Sequence, residues 1–123
     1  MLAHSMAMET YDLRDWDTWE AIESSGLTIH EGEQTELIFF ENTSTGYTWS
    51  YNDDGSNGVY DVSVERQSAR YTPGMGVGMP GTITYRLEPT AHGEGTFRVW
   101  LNPPARPLSW EEALGESLGF LEI

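Results

Sequence analysis

The side chains that could do chemistry in this chain are few in kind. Among 123 residues there are 20 acidic groups, three histidines and no cysteine. Without cysteine there is no disulfide framework, no thiolate nucleophile and no thiolate metal site. His4 falls in the N-terminal stretch, His30 in a strand-like segment and His92 in a turn. No Gly-x-Ser-x-Gly elbow, His-Glu-x-x-His helix or phosphate loop occurs. Asn52-Asp53-Asp54-Gly55 offers oxygen ligands, but not the one-three-five spacing with glycine at six of a calcium loop. It reads as a hairpin turn. A pair of catalytic carboxylates is the one arrangement left open, and so acidic a surface brings carboxylates together by chance. The expectation is a protein that is not an enzyme, with no metal and no cofactor.

What remains is recognition, and three segments carry it. The first is Asn42-Thr43-Ser44-Thr45-Gly46-Tyr47-Thr48-Trp49. The second is a glycine ladder, Gly74-Met75-Gly76-Val77-Gly78-Met79-Pro80-Gly81, and the third is Arg106-Pro107-Leu108-Ser109-Trp110. Each joins turn-forming residues to large apolar groups and lies between runs that alternate like strands, the pattern of binding loops on a rigid scaffold. The ladder follows one strand and precedes another, which excludes a dinucleotide fingerprint. In an extended segment Gly74, Gly76 and Gly78 share one face and Met75, Val77 and Met79 the other. The glycine face permits close backbone approach by another chain, and the methionines fit irregular pockets. The same methionines could instead fold back on the core. Trp49 reads as a core aromatic, while Tyr47 is open between core and loop. Asn42-Thr43-Ser44 also fits a glycosylation sequon, but a glycan there would cover the loop.

The elements that must hold these segments are short. Leu13, Trp16, Trp19 and Ile22 recur every third residue, a narrow helical stripe over Asp12–Glu23 that Gly26 would end. Leu27–His30, Glu36–Phe40 and Thr48–Tyr51 read as strands, Glu36–Phe40 apolar enough to be central. Tyr60, Val62 and Val64 alternate with Asp61, Ser63 and Glu65; Ile83, Tyr85 and Leu87 with Thr82, Thr84 and Arg86. Phe97, Val99 and Leu101 alternate with Thr96, Arg98 and Trp100, and Leu118–Ile123 supplies a last strand. Seven to eight short strands with Gly/Pro-rich turns make an all-β sandwich of one domain. Residues 1–26 read as an N-terminal arm, with or without the short helix, and 27–123 as the domain proper.

Charge narrows the partners. The net charge is −14, and all six basic residues are arginine. Nucleic acid and anionic membrane surfaces are therefore poor partners, and a basic one is suited. No apolar run approaches the roughly 20 residues of a spanning helix. The start, Met1 to Met8, lacks a basic region and a long apolar core and does not read as a signal peptide. The compartment stays open.

Taken together, the three segments resemble the chagasin-type inhibitors of cysteine peptidases. Asn42 to Trp49 resembles that family's Asn-Pro-Thr-Thr-Gly-aromatic-x-Trp motif. Gly76-Val77-Gly78 is similar to its Gly-x-Gly-Gly loop, and Arg106-Pro107 to its Arg-Pro-aromatic loop. Order and approximate spacing match, and the resemblance covers roughly Leu27 to Ile123. The sequence departs at Thr43, where the family has proline, and at Met79, where glycine is usual. An extra Pro80-Gly81 follows. Leu108 stands where the family aromatic would be, with Trp110 displaced by two. Ser109 and Glu112 also form a capping-box pattern that would start a helix at Trp110.

The resemblance implies an immunoglobulin-like sandwich with three loops side by side at one end. It implies a monomeric, reversible, tight-binding inhibitor of papain-like, cathepsin L-like cysteine peptidases. Its expected contacts are Asn42, Thr43, Ser44, Thr45, Gly46 and Tyr47; Met75, Gly76, Val77, Gly78 and Met79; and Arg106, Pro107 and Leu108 or Trp110. The alternatives are a carbohydrate-binding module and a structural or adhesive immunoglobulin-like domain.

Overall fold

The computed structural model describes residues 7–41, 46–52, 59–67, 81–104, 106–116 and 119–123. Among them are β1 (Ala7–Asp12), α1 (Trp16–Ser25), β2 (Glu33–Glu41), β3 (Thr48–Asn52) and β4 (Tyr60–Gln67). β5 (Gly81–Pro89), β6 (Arg98–Asn102), α2 (Trp110–Glu116) and β7 (Phe120–Glu122) follow. One sheet has the order β1-β2-β5-β4 and the other β3-β6-β7. The architecture is the expected immunoglobulin-like β-sandwich.

Alternation decides which side chains meet between the sheets. Leu37 and Phe39 of β2 and Ile83, Tyr85 and Leu87 of β5 lie at most 2% exposed, as do Val99 and Leu121 of the second sheet. Full burial of such side chains is worth about 1.5–3 kcal/mol each. The layers interlock through rings: Phe39 lies 4.8 Å from Trp49, Tyr51 5.5 Å from Tyr85, and Tyr85 5.6 Å from Phe97. Trp49 is indeed a core aromatic.

β2 is central, with β1 on one edge and β5 on the other. Its outer face is only partly covered, and Phe40 stands 51% exposed. Leu27–His30, expected as a strand, forms none. β1 occupies the edge of β2 in parallel register, Tyr11 opposite Leu37. Leu27 and Ile29 pack on the core without a ladder.

The helical stripe is real but starts later than its first member. Leu13 is buried in the turn before α1, its N–H donating to the Ile38 carbonyl at 2.8 Å. Gly26 ends the helix at φ 72°, a left-handed value that favours glycine, and donates its N–H to Ile22 O. Ile22 is buried, and Trp19 packs edge-on against Phe39 at 5.8 Å. On the second sheet α2 covers a face that the sequence left unassigned: Trp100, Leu108 and Ala113 form a small second core, with Trp110 and Phe120 against it.

Candidate functional site

Register places the segments of interest. Glu41, the last residue of β2, pairs with Gly81, the first of β5, and Gln67, the last of β4, pairs with Thr82. The stretches 42–47 and 68–80 therefore leave the first sheet at one end. Thr48, the first residue of β3, pairs with Asn102, the last of β6. So 42–47 and 103–109 leave the second sheet at one end too.

A buried carboxylate makes these the same end. Glu41 is 5% exposed; its Oε2 accepts the Trp49 N–H at 3.2 Å and its Oε1 accepts from Arg66 Nε at 2.9 Å. Arg66 Nη2 also donates to the Trp49 carbonyl at 3.3 Å. The Trp49 indole N–H donates to the Phe40 carbonyl at 2.6 Å. Both flanks of the first segment and the approach to the second are thus fastened to one another. Sequence reasoning missed this pair, although parity held a signal: Arg66 continues the inward register of Tyr60, Val62 and Val64, opposite Ile83. A charge at an inward position needs a partner.

The first and third segments touch. Gly46 has φ 82°, and a Cβ there would lie 2.9 Å from the Pro104 Cβ. Only glycine meets both conditions without a shift of the backbone. Tyr47 beside it is half-buried.

Asn102 anchors the third segment. Its Oδ1 accepts the Leu108 N–H at 2.9 Å and the Trp100 indole N–H at 3.0 Å, and its Nδ2 donates to Ser50 Oγ at 2.7 Å. Trp100 Nε1 also reaches the Leu108 carbonyl at 3.2 Å. These bonds close the span from 102 to 108 into a loop. Arg106 and Pro107 stand out at its tip, exposed, with Arg106 Nη2 3.5 Å from Glu112 Oε2.

Leu108 points the other way. At 6% exposure it sits against Trp100 and Ala113, so its side chain holds the loop from beneath. Trp110 is half-buried, with the Arg98 guanidinium 4.0 Å from its ring centroid and Arg98 Nε donating to Glu122 Oε2 at 2.6 Å. The capping box is formed: Ser109 N–H to Glu112 Oε1 and Glu112 N–H to Ser109 Oγ, both at 3.2 Å. The bonds from the Ser109 amide and then its hydroxyl hold the Glu112 carboxyl below its ordinary range.

Asn42, Thr43, Ser44 and Thr45 lie outside the described residues, as do Met75, Gly76, Val77, Gly78 and Met79. The strand ends that carry them are described, and they converge. Among the described residues no three His, Asp or Glu side chains gather as a metal site.

The family model described as Chagasin family peptidase inhibitor I42 matches residues 28–106. The chain belongs to the chagasin family. This is a family of peptidase inhibitors, not of enzymes. The match contains both Gly46 and Pro104 and stops at Arg106, so β1, α1, Leu108 and α2 lie beyond it. Among solved structures the chain is similar to the cysteine protease inhibitor EhICP2 from Entamoeba histolytica, at 18% identity and a TM-score of 0.61, over 98% of this chain and 94% of that one. It is also similar to amebosin, at 22% identity and a TM-score of 0.59, over 94% of this chain and 92% of that one. At these identities the likeness is one of fold. No curated protein matches the chain.

Proposed function

We propose that this chagasin-family chain is a reversible, tight-binding inhibitor of papain-like cysteine peptidases, which it blocks by filling the active-site cleft with three adjacent loops. The observation that supports this most is that the strand ends flanking 42–47, 68–80 and 103–109 meet at one end of the sandwich, with Gly46 seated on Pro104.

In this reading the stretch Asn42–Thr45 lies over the catalytic Cys–His pair, with Ser44 nearest the thiolate. Met75–Met79 runs extended along the non-primed subsites and exchanges main-chain hydrogen bonds as an added strand would. Arg106 reaches the primed side, where a guanidinium pairs with carboxylates or stacks on an aromatic ring. The block is physical and breaks no bond, so the inhibitor leaves intact. Affinity comes from loops held in shape before binding, which reduces the ordering cost. The Glu41–Arg66 pair and the Asn102 bonds support this by fastening the strand ends that carry the loops. An interface of about 800 Å² on each partner suffices, and one copy of the chain provides it.

The test is titration of papain and a cathepsin L-like peptidase with the purified chain, using a fluorogenic substrate. Competitive inhibition with the inhibitor recovered whole is the expected result. No inhibition of several such peptidases at micromolar concentration overturns the proposal, and progressive cleavage overturns the blocking mechanism.

A further inference from the structure

The apolar stripe of α1 outruns the sandwich that it packs on. Trp16, Trp19 and Ile22 lie at spacings of three, on one side of the helix. Ile22 is buried, and Trp19 rests against Phe39 at 5.8 Å and Trp49 at 6.2 Å. Trp16 continues the same stripe, yet it is 65% exposed. Each step of three turns back about 60° around the helix, so Trp16 stands about 120° from Ile22, at the flank of the stripe, where the core no longer covers it.

The direction of the chain tells where it ended. β1 runs parallel to β2, toward the end where the first loop begins, and Leu13 is tied to Ile38. The chain then reverses. Ser25 and Gly26, at the close of α1, border a hollow at the opposite end together with Val59, Pro89, Phe97 and Ile123. The first turn of α1 therefore lies at the loop end. Trp19 already touches Trp49, the second residue of β3, and Trp16 is one turn, about 5 Å, nearer the loops. On the outer face of β2, Phe40 stands half out of the sheet with the Arg14 guanidinium 5.4 Å from its ring. Asp15 and Asp17 flank Trp16, both exposed.

We propose that Trp16, set between Asp15 and Asp17, is a fourth contact of the inhibitor. It docks on the rim of the same peptidase, in an apolar recess bordered by lysine or arginine, on the side where the Asn42–Gly46 loop enters the cleft. The inference rests on the inhibitory reading above and extends it: the first turn of α1 lies at the end of the sandwich from which the three loops leave, and outside the 28–106 family match. A large ring aimed at a partner and ringed by charge has the character of an interface anchor. The two carboxylates speak for a basic border, and attraction of this kind raises the association rate in a salt-dependent way.

The experiment measures inhibition constants of the native chain, Trp16→Ala, Asp15→Asn/Asp17→Asn and Gly76→Asp against papain and several cathepsin L-like peptidases. Each is measured at low and at physiological ionic strength, with melting temperatures alongside. Trp16→Ala is expected to weaken inhibition of at least one peptidase tenfold or more without lowering the melting temperature. The double asparagine variant is expected to flatten the salt dependence of the association rate for that peptidase. The emission difference between native chain and Trp16→Ala should shift to the blue on complex formation. If the native chain inhibits and Gly76→Asp weakens it, but Trp16→Ala is indistinguishable across the set, this inference is overturned and the three-loop reading stands. Self-association of the native chain that Trp16→Ala abolishes, with inhibition unchanged, assigns the ring to contact between copies and overturns it equally. If the native chain inhibits nothing, both readings fall together.

Discussion

Glu41 and Arg66 hold each other at 2.9 Å across the end of the sandwich, and between them they take up both the N–H and the carbonyl of Trp49. The carboxylate is buried and the guanidinium half in solvent, so the two are not equivalent. Removing Arg66 strands a buried charge. Arg66→Met should lower stability by about 1–3 kcal/mol, less than a fully buried pair loses because water reaches the vacated side. Glu41→Leu with Arg66→Met should recover much of that loss in the melting temperature. Inhibition should not recover with it, since the Trp49 backbone then has no partner holding the first loop.

At Gly46 the predicted effect has two separable parts. Gly46→Ala must adopt a left-handed backbone, costing about 1 kcal/mol, and push its methyl into Pro104. Pro104→Gly in the same chain should relieve the steric part and leave the backbone part. Melting temperatures of the two single variants and the double decide this, and additive losses would mean that the loops do not touch.

The third loop should divide between stability and binding. Leu108→Ala opens a space against Trp100 and should cost about 2–4 kcal/mol of folding free energy, with affinity falling only as the loop loosens. Leu108→Trp overfills the same space and should also destabilise. Arg106→Ala, at the exposed tip, should leave the melting temperature within a degree or two and weaken inhibition. The reverse assignment, with Leu108→Trp binding more tightly at unchanged stability, would refute the buried placement.

Tyr85 carries a prediction of opposite sign. Its ring fills the centre of the core, but its hydroxyl is buried with no hydrogen-bond partner among the described residues. Burial pushes the phenol well above its usual range. Tyr85→Phe discards an unsatisfied polar atom and keeps the ring, so it should be neutral or stabilising by up to about 1 kcal/mol. Urea titration of the two proteins measures it.

For Glu112 the pH dependence has a definite direction. Its carboxyl is held low in the fold by Ser109, so the folded state binds its proton less readily than the unfolded chain. The capping contribution is complete above the ordinary glutamate value of about 4.3 and fades as pH falls through the lower folded value. Glu112→Gln should therefore melt below the native chain at pH 7, with the gap closing toward pH 3. A gap that widens in acid would contradict the sign.

Most of the scaffold was legible because alternation exposes a two-sided strand wherever one side is apolar. β4 and β5 were read this way, with Tyr60, Val62 and Val64 and with Ile83, Tyr85 and Leu87 on their inner faces. β1 was not, because Met8, Glu9 and Thr10 are all exposed and show no alternation; its place is set by the free edge of β2, which no local signal announces. Leu27–His30 had the pattern without the edge. On β6 the two faces were separated correctly, but nothing in Arg98 and Trp100 says that α2 will close over them. Within the site, motif order pointed to the three segments, while of the residues that fasten them only Arg66 left a signal, in its parity. Glu41, Asn102 and Pro104 are polar or turn-forming residues at strand ends, where such residues are commonplace, and only the third dimension pairs them.

The seating of Gly46 on Pro104 also bears on how this chain could be retargeted. Two segments that share a steric boundary form one unit of variation: a bulkier residue on one side is tolerated only with a smaller one opposite. A library that randomises position 46 alone would discard most members through misfolding before selection began. Holding 46 and 104 fixed while neighbouring positions drift keeps the scaffold intact and leaves selection to act on recognition.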